Sequence, residues 1–576
     1  MIEPHKYIAN WPDMEYPNFI AWLEDIERKY AGNRAILYRT GKQTDFSVIT
    51  YAEYAAECRR IGRGLLALGL SRGDRVALWA ENRPEWMMVW MGAVIAGLII
   101  VPIDAMSSEA ECANILKMAS PKVFFCSQKN REFAQSLETR GVSIERLVYL
   151  SGEGPDTVKE FGKEAGSVKL PSAGDIAADD PVSVIFTSGT TGLSKGVTLK
   201  HRGIIANSNG AILSLQPNIR DVFINVLPLH HTYPTTCTFI SPLSVGIPVI
   251  LIERLVGKVV LDDIRKGRVS YLIAVPLLFD KVKTGIEQGL RELPAPARGL
   301  INGLRRLTLF FNRLGFTAFG KFTLYAIRKK IGIETVRIMV AGGGPLNPKT
   351  ADFFDSLGFC LVHGYGLSEN SPLVSVNVPK YKNNLSVGLP VKYTEVKIVD
   401  KNEDGSGEIA VKTPSLMLGY YNNPEATKEA FTSDGFLLTG DLGYLDEKGF
   451  IFINGRKKNL IVSSGGKNIY PEEIESCFEG SRVVGEILVM GRKAPGSGGE
   501  LIFAAIYPNW ETLKTDYPAG ELDAEFVHSL IKKEVEAKNR TLVGYKKISG
   551  FVVMDAPFEK NAQEKIKRYL YKNAAI

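Results

Sequence analysis

Residues 187–196 read Thr187-Ser188-Gly189-Thr190-Thr191-Gly192-Leu193-Ser194-Lys195-Gly196, directly after the apolar run 182–186. A short apolar run ended by glycines is a buried strand emerging into a tight turn. The glycines let the backbone fold closely, the hydroxyls and amides can face an anion, and Lys195 adds a mobile positive charge. Such a turn is built for phosphate oxygens. Its spacing is not that of a Walker loop. Counted from Gly189, Ser194 stands where that motif needs glycine, and Gly196 where it needs a magnesium-binding hydroxyl. This argues against a P-loop nucleoside triphosphatase.

Around this turn, strand and helix patterns alternate. Strands are expected at 35–38, 46–50, 75–79, 123–126, 147–150 and 182–187. A helix over 51–70 would carry Leu65, Leu66 and Leu68 inward. That alternation predicts an α/β fold of layered, largely parallel sheets. Residues 86–103 run eighteen positions without a charge, the lower limit for crossing a bilayer. Gly92, Gly97 and Pro102 interrupt them, and Asn82-Arg83-Pro84 reads as a helix start, so a buried helix followed by a strand at 98–103 is expected. After Gly405 the pattern becomes β-rich, as for a small barrel-like subdomain. Past Arg456 a charged α+β segment runs to the end. These shifts divide the 576 residues into 1–456 and 457–576.

Residues 293–333 carry eight basic residues (298, 305, 306, 313, 321, 328, 329 and 330) and no acidic one, interleaved with Leu, Phe and Tyr. The plain reading is a solvated helical hairpin; the sharper one is a peripheral surface meeting anionic lipid. Over the whole chain the net charge is a mild +7, compatible with polyanionic small molecules and too weak to argue for nucleic acid. The six cysteines stand singly, with no Cys-x-x-Cys, so reduced thiols of a cytoplasmic protein are expected, and no zinc site. The first residues lack the apolar core of a secretory signal.

Five further motifs follow the hydroxyl-rich turn. They are Leu227-Pro228-Leu229-His230-His231, Ala341-Gly342-Gly343-Gly344-Pro345-Leu346, Gly364-Tyr365-Gly366-Leu367-Ser368-Glu369, Thr439-Gly440-Asp441 with Gly455-Arg456-Lys457-Lys458, and the run from Ser464 to Glu475. In this order they resemble the motifs of the adenylate-forming superfamily, which contains acyl-CoA synthetases, luciferases and peptide-synthetase adenylation domains.

The resemblance implies a large adenylation domain over 1–456 and a small mobile domain over 457–576. ATP phosphates would lie on Thr187, Ser188, Gly189, Thr190, Thr191 and Lys195, and adenine against Gly343, Gly344, Tyr365, Gly366 and Ser368. Asp441 and Arg456 would hold the ribose. Glu369, an oxygen-only anion, suits Mg²⁺. His231 would stand beside the substrate carboxylate, with His230 structural, and Lys458 would be the pivot between domains. A catalytic lysine comes from near the C-terminus, where a cation on the α-phosphate lowers the barrier by about 10²–10³ in rate. Register favours Lys565, with Lys560 and Lys567 as competitors, because Glu564 and Ala562 replace the family's glycine and proline.

The implied reaction joins ATP, a carboxylic acid and CoA into acyl-CoA, AMP and pyrophosphate through an acyl-adenylate. Gly388 within Ser-Val-Gly-Leu-Pro, the step at 275–279 and the basic insertion favour fatty acids. The lack of an aspartate from 227 to 235 disfavours amino acids. An aryl acid, transfer to a carrier protein, a degraded member serving as a scaffold, and the choice between monomer and homodimer stay open.

Overall fold

The computed structural model describes residues 15–41, 43–187, 195–253, 255–403, 405–463, 467–493, 500–517, 522–560 and 566–571. Two large sheets organise the chain up to residue 420. In the nine-stranded sheet, six parallel strands lie side by side in the order Leu361–Gly366, Ile338–Ala341, Tyr271–Ala274, Phe223–Asn225, Val249–Leu251 and Arg34–Tyr38. Antiparallel strands complete both edges. In the seven-stranded sheet, Pro181–Thr187, Ile99–Ile103, Arg75–Trp79, Val123–Cys126 and Arg146–Tyr149 are parallel, and Lys195–Lys200 and Gly419–Tyr420 add antiparallel neighbours on one side. These strands are near-continuous apolar runs because both of their faces are covered.

The run at 86–103 is the helix Pro84–Ile95 and the strand Ile99–Ile103. Every residue of that helix except Glu85 is buried inside the protein, which explains its lack of charge without a bilayer. Among the described residues no helix is long and apolar enough to cross a membrane. The helix expected over 51–70 ends at Ala67, started by a capping box in which Thr50 and Glu53 exchange hydrogen bonds. Leu65 is buried as expected. Leu68 lies past the last turn, exposed, so its inward placement is corrected.

The β-rich region forms a four-stranded antiparallel sheet of Glu395–Val399, Gly407–Lys412, Leu437–Leu445 and Ile451–Arg456. Beyond it, a three-stranded sheet (Val484–Lys493, Glu500–Pro508, Gly550–Val553) packs with the helix Ala524–Thr541. Ile461, Ile474, Val489, Ile506 and Ile531 belong to a buried cluster that shares no residue with the cores of the large sheets.

Residues 293–333 form the helices Ala295–Arg313, Phe319–Thr323 and Tyr325–Ile331. Not all of the basic residues there face water. Arg328 is buried and donates to the carbonyls of Gly358 (3.1 Å), Glu334 (3.1 Å) and Val336 (3.0 Å), with its guanidinium over the Phe359 ring. Arg305 donates to Ser356 Oγ at 2.9 Å. Arg328 is thus a fold determinant, since removing it strands three carbonyls. Arg328→Ala is expected to destabilise the protein by about 3 kcal/mol, whereas exposed Lys329→Ala should stay within about 0.5 kcal/mol. Urea denaturation of the two variants checks this.

Candidate active site

In open α/β sheets the space beyond the carboxyl ends of parallel strands gathers loops, and function collects there. Four adjacent strands of the nine-stranded sheet deliver the sequence motifs to one edge. Phe223–Asn225 leads to His230 and His231, Tyr271–Ala274 to Val275 and Pro276, Ile338–Ala341 to the glycine turn, and Leu361–Gly366 to Glu369. The seven-stranded sheet adds its own carboxyl ends. Asn82, past the strand Arg75–Trp79, accepts from Leu229 N (2.9 Å) and donates to Leu227 O (2.8 Å), clamping the histidine loop. Asp104 follows Ile99–Ile103 and reaches His230.

On the phosphate side, Thr187 and Lys195 are register partners in an antiparallel pair, and Thr187 Oγ1 donates to Lys195 O at 3.4 Å. The strand therefore turns back into a strand, unlike a Walker loop, which enters a helix. Ser188, Gly189, Thr190 and Thr191 lie outside the described residues. Lys195 Nζ sits 4.7 Å from the ring centroid of Tyr420, and Tyr420 Oη donates to Glu369 Oε1 at 2.9 Å. Tyr420 thus couples the cation of the turn to the carboxylate of the other sheet. Sequence reasoning missed it. The only signal was an aromatic pair, Tyr420-Tyr421, whose pairing with Lys195–Lys200 could not be read along the chain. Burial, then the charge of Glu369, pushes the Tyr420 hydroxyl up, so it remains a donor.

A second cluster joins Tyr365, Asp441 and Arg456. Tyr365 Oη donates to Asp441 Oδ2 (2.6 Å), and Arg456 Nε lies 2.9 Å from Asp441 Oδ1. Asp441 and Arg456 are register partners on adjacent strands. A carboxylate offers about four lone-pair sites, so two acceptor positions remain after these contacts. Gly366 lies here because a Cβ would stand 2.3 Å from Pro372 O, and Ser368 begins the short turn that carries Glu369.

The glycine turn places Gly343 at φ +83, a left-handed conformation that costs a residue with a Cβ about 1–2 kcal/mol. A Cβ built on Gly343 or Gly344 would make only ordinary contact, 3.8 Å from Val275 and from Pro276, so the turn presents its backbone without crowding. His363 Nε2 donates to Gly344 O at 3.0 Å and fixes the turn. It too escaped the sequence reading, being a lone histidine inside an apolar strand.

The rings of His230 and His231 are in contact, tilted by 50° with centroids 3.9 Å apart. His230 is buried, and burial pushes its pKa down to about 3. Its 3.5 Å approach to Asp104 Oδ2 is therefore a contact of a neutral ring and not an ion pair. His231, partly exposed, precedes the turn Thr232–Pro234 and the π-helical turn Thr235–Ile240, a distortion frequent at functional sites. Asp104, His230 and His231 bring ligand atoms within 4.8 Å of one another. That set is rich in nitrogen, whereas magnesium takes oxygen, so Glu369 is the better donor for Mg²⁺.

At the far end, Lys457 donates to Glu408 Oε2 (2.7 Å), and Lys458 lies in the turn Lys457–Asn459. Lys565 lies outside the described residues. Of its competitors, Lys560 donates to Glu486 Oε1 at 2.7 Å, and Lys567 Nζ is 3.8 Å from Glu559 Oε2.

Burial pushes the pKa of His363 down from 6.5 to about 4. The unfolded chain then binds the extra proton first, so stability is full above pH 6.5 and falls as the pH drops towards 4. This histidine alone contributes a loss of up to about 3 kcal/mol across that window. His363→Gln, which keeps an amide donor for Gly344 O, should lose correspondingly less. Urea midpoints of both proteins at the two ends of the window measure the difference.

The family described as AMP-binding enzyme matches residues 23–421. Long chain acyl-CoA synthetase 7, peroxisomal, of Arabidopsis thaliana is 30% identical, over 85% of this chain and 73% of its own. Fatty acyl-CoA synthetase A of Dictyostelium discoideum is 27% identical, over 93% and 85%. Among solved structures, the ATP-bound RpMatB-BxBclM chimera B1 superposes with a TM-score of 0.75 at 25% identity, over 97% of this chain and 98% of that one. The anthranilate CoA ligase AuaEII, in complex with anthranoyl-AMP, shares the fold at a TM-score of 0.76 and 20% identity. A match over so much of the chain, with its motifs gathered on one edge of the sheets, makes this protein a member of the AMP-binding enzyme family.

Proposed function

We propose that the protein is an AMP-forming fatty-acid–CoA ligase. The observation that carries the reading is the meeting of two clusters beyond the same strand ends. Lys195–Tyr420–Glu369 is suited to phosphates and a divalent cation, and Tyr365–Asp441–Arg456 to a nucleoside. Relatives named as fatty acyl-CoA synthetases over most of this chain support the choice of acid and acceptor.

In the first half-reaction a carboxylate oxygen attacks the α-phosphorus of ATP, forming the P–O bond of the acyl-adenylate and expelling pyrophosphate. Lys195 offsets phosphate charge, Glu369 would hold Mg²⁺, and the bare backbone of Gly343 and Gly344 admits the flat adenine. Bound Mg²⁺ would neutralise phosphate charge. Lys565 would stabilise the charge building on the α-phosphate. In the second half-reaction the thiol sulfur of CoA attacks the acyl carbon, AMP leaves, and the thiol proton passes to solvent. His231 would line the acyl carboxylate.

We assign the boundary between the two domains to 456/457 and the pivot to Lys458. The separate apolar clusters on either side support this division. The pairing of Lys560 with Glu486 supports Lys565 as the mobile cation. A long-chain acid resides largely in bilayers, each buried methylene contributing about 0.8 kcal/mol, so a lipid surface is a natural further partner.

Lys565→Ala should abolish acid-dependent exchange between pyrophosphate and ATP while largely sparing thioester formation from supplied acyl-adenylate. Equal loss in both half-reactions would reassign the lysine. Tyr420→Phe, which removes a hydrogen bond to a charged group, should slow the exchange by about tenfold. AMP release across aliphatic acids of increasing length and benzoate, with and without CoA, distinguishes fatty from aryl acids and CoA from a carrier protein.

A further inference from the structure

The helix Ala295–Arg313 is nineteen residues long, yet Thr308 is its one buried residue. On its inner side, Arg305 donates to Ser356 Oγ and Asn312 Nδ2 donates to Asp355 O at 3.2 Å, holding it against the helix Pro348–Ser356. Its outer side is not polar. At about 100° per residue, Leu300, Leu307, Phe310 and Leu314 fall within an arc of about 80°. The turn that follows adds Phe316, and the short helix Phe319–Thr323 adds Phe322. These six side chains are between 47% and 81% exposed. Scattered single hydrophobics need no explanation, but a contiguous set on one segment marks an interaction site.

The charge around this face selects the partner. Arg306 and Arg313 lie about 40–60° beyond Phe310 on the same wheel, beside the apolar stripe. Lys321, Lys329 and Lys330 are exposed on the segment that follows, and no acidic residue occurs from 293 to 333. A protein partner would need a surface both apolar and strongly acidic. A second copy of this face would bring like charges together. An anionic bilayer offers both features at once, with acyl boundary for the aromatic tips and headgroup charge for the arginines and lysines.

We propose that the outer face of residues 298–330 docks on anionic lipid bilayers, seating Phe310, Phe316 and Phe322 at the acyl boundary and Arg306 and Arg313 among the headgroups. Docking of this face depends on its exposure and charge and not on which acid the enzyme activates.

The test is flotation of the full chain with vesicles of phosphatidylcholine alone or with about one-third phosphatidylglycerol. Binding is expected to the anionic vesicles, weakened by high salt. The pair Phe316→Ser/Phe322→Ser should lower partitioning by about tenfold or more, as should Arg306→Gln/Arg313→Gln. Both variants should retain pyrophosphate exchange with a short soluble acid, which shows that they fold. Absence of binding to anionic vesicles, or binding that neither pair alters, would overturn the proposal. So would a dimer in solution that the Phe316→Ser/Phe322→Ser pair dissolves while vesicle binding is missing, since the face would then belong to a second copy.

Discussion

The parallel direction of the sheet strands is the constraint on which the site rests. A parallel neighbour can be reached only by a crossover of a dozen or more residues, so each loop at a carboxyl end begins far along the chain from the last. His231, Gly343 and Glu369 are separate in sequence, yet they follow strands within one run of four neighbours in the same sheet. Asn82 and Asp104 arrive at the same place from the other sheet. Reversing the direction of one of these strands would carry its loop to the opposite edge. The chemistry is therefore assembled by topology first and by side-chain contacts second.

Those contacts then manage charge. Asp441 is a buried carboxylate, which is tolerable only because Tyr365 and Arg456 supply donors to both of its oxygens. Glu369 is held by Tyr420, whose ring face also meets the Lys195 ammonium. One aromatic residue thus attracts a cation with its ring face and an anion with its hydroxyl, at the point where the two sheets approach. The histidines behave differently. His230 and His363 are buried deeply enough to be neutral at physiological pH, so they leave the mobile charge to lysines and carboxylates, and His363 serves as a hydrogen-bond donor to Gly344 O.

Local signals in the sequence were enough for elements and motifs. The strand Arg75–Trp79 and the strand Val123–Cys126 follow directly from their apolar runs, and the buried helix Pro84–Ile95 from its proline start and glycine stop. Tyr365, Asp441 and Arg456 were legible as one family's motifs, and they are brought together here. What escaped was whatever depends on pairing across the fold. Tyr420 gains its role only when Gly419–Tyr420 pairs with Lys195–Lys200, and His363 only when its strand lies beside the glycine turn. Leu68 was misplaced for a different reason. Apolar periodicity continued past the point where the helix terminates, and the last turn swings out to solvent. Residues 188–194 and Lys565, chemically the most telling positions in the sequence, lie outside the described residues.

The basic segment shows how composition alone blends two roles. Arg328 and Arg305 belong to the interior of the fold, satisfying carbonyls and a hydroxyl, while Arg306 and Arg313 flank an exposed apolar stripe. Neighbours in sequence such as 305 and 306 sit about 100° apart on a helix, so one can brace the fold while the other faces outward. The brace is not arbitrary. The helix Pro348–Ser356, on which the segment rests, is the element that follows the glycine turn. A surface held there is fixed rigidly to the scaffold of the nucleotide end of the site, because Ser356 and Asp355 take its hydrogen bonds directly. Were it carried on a loose loop, ordering it at a bilayer would cost conformational entropy that the exposed aromatics would first have to offset. Pre-ordered against a buried helix, the same side chains present their apolar area without that cost.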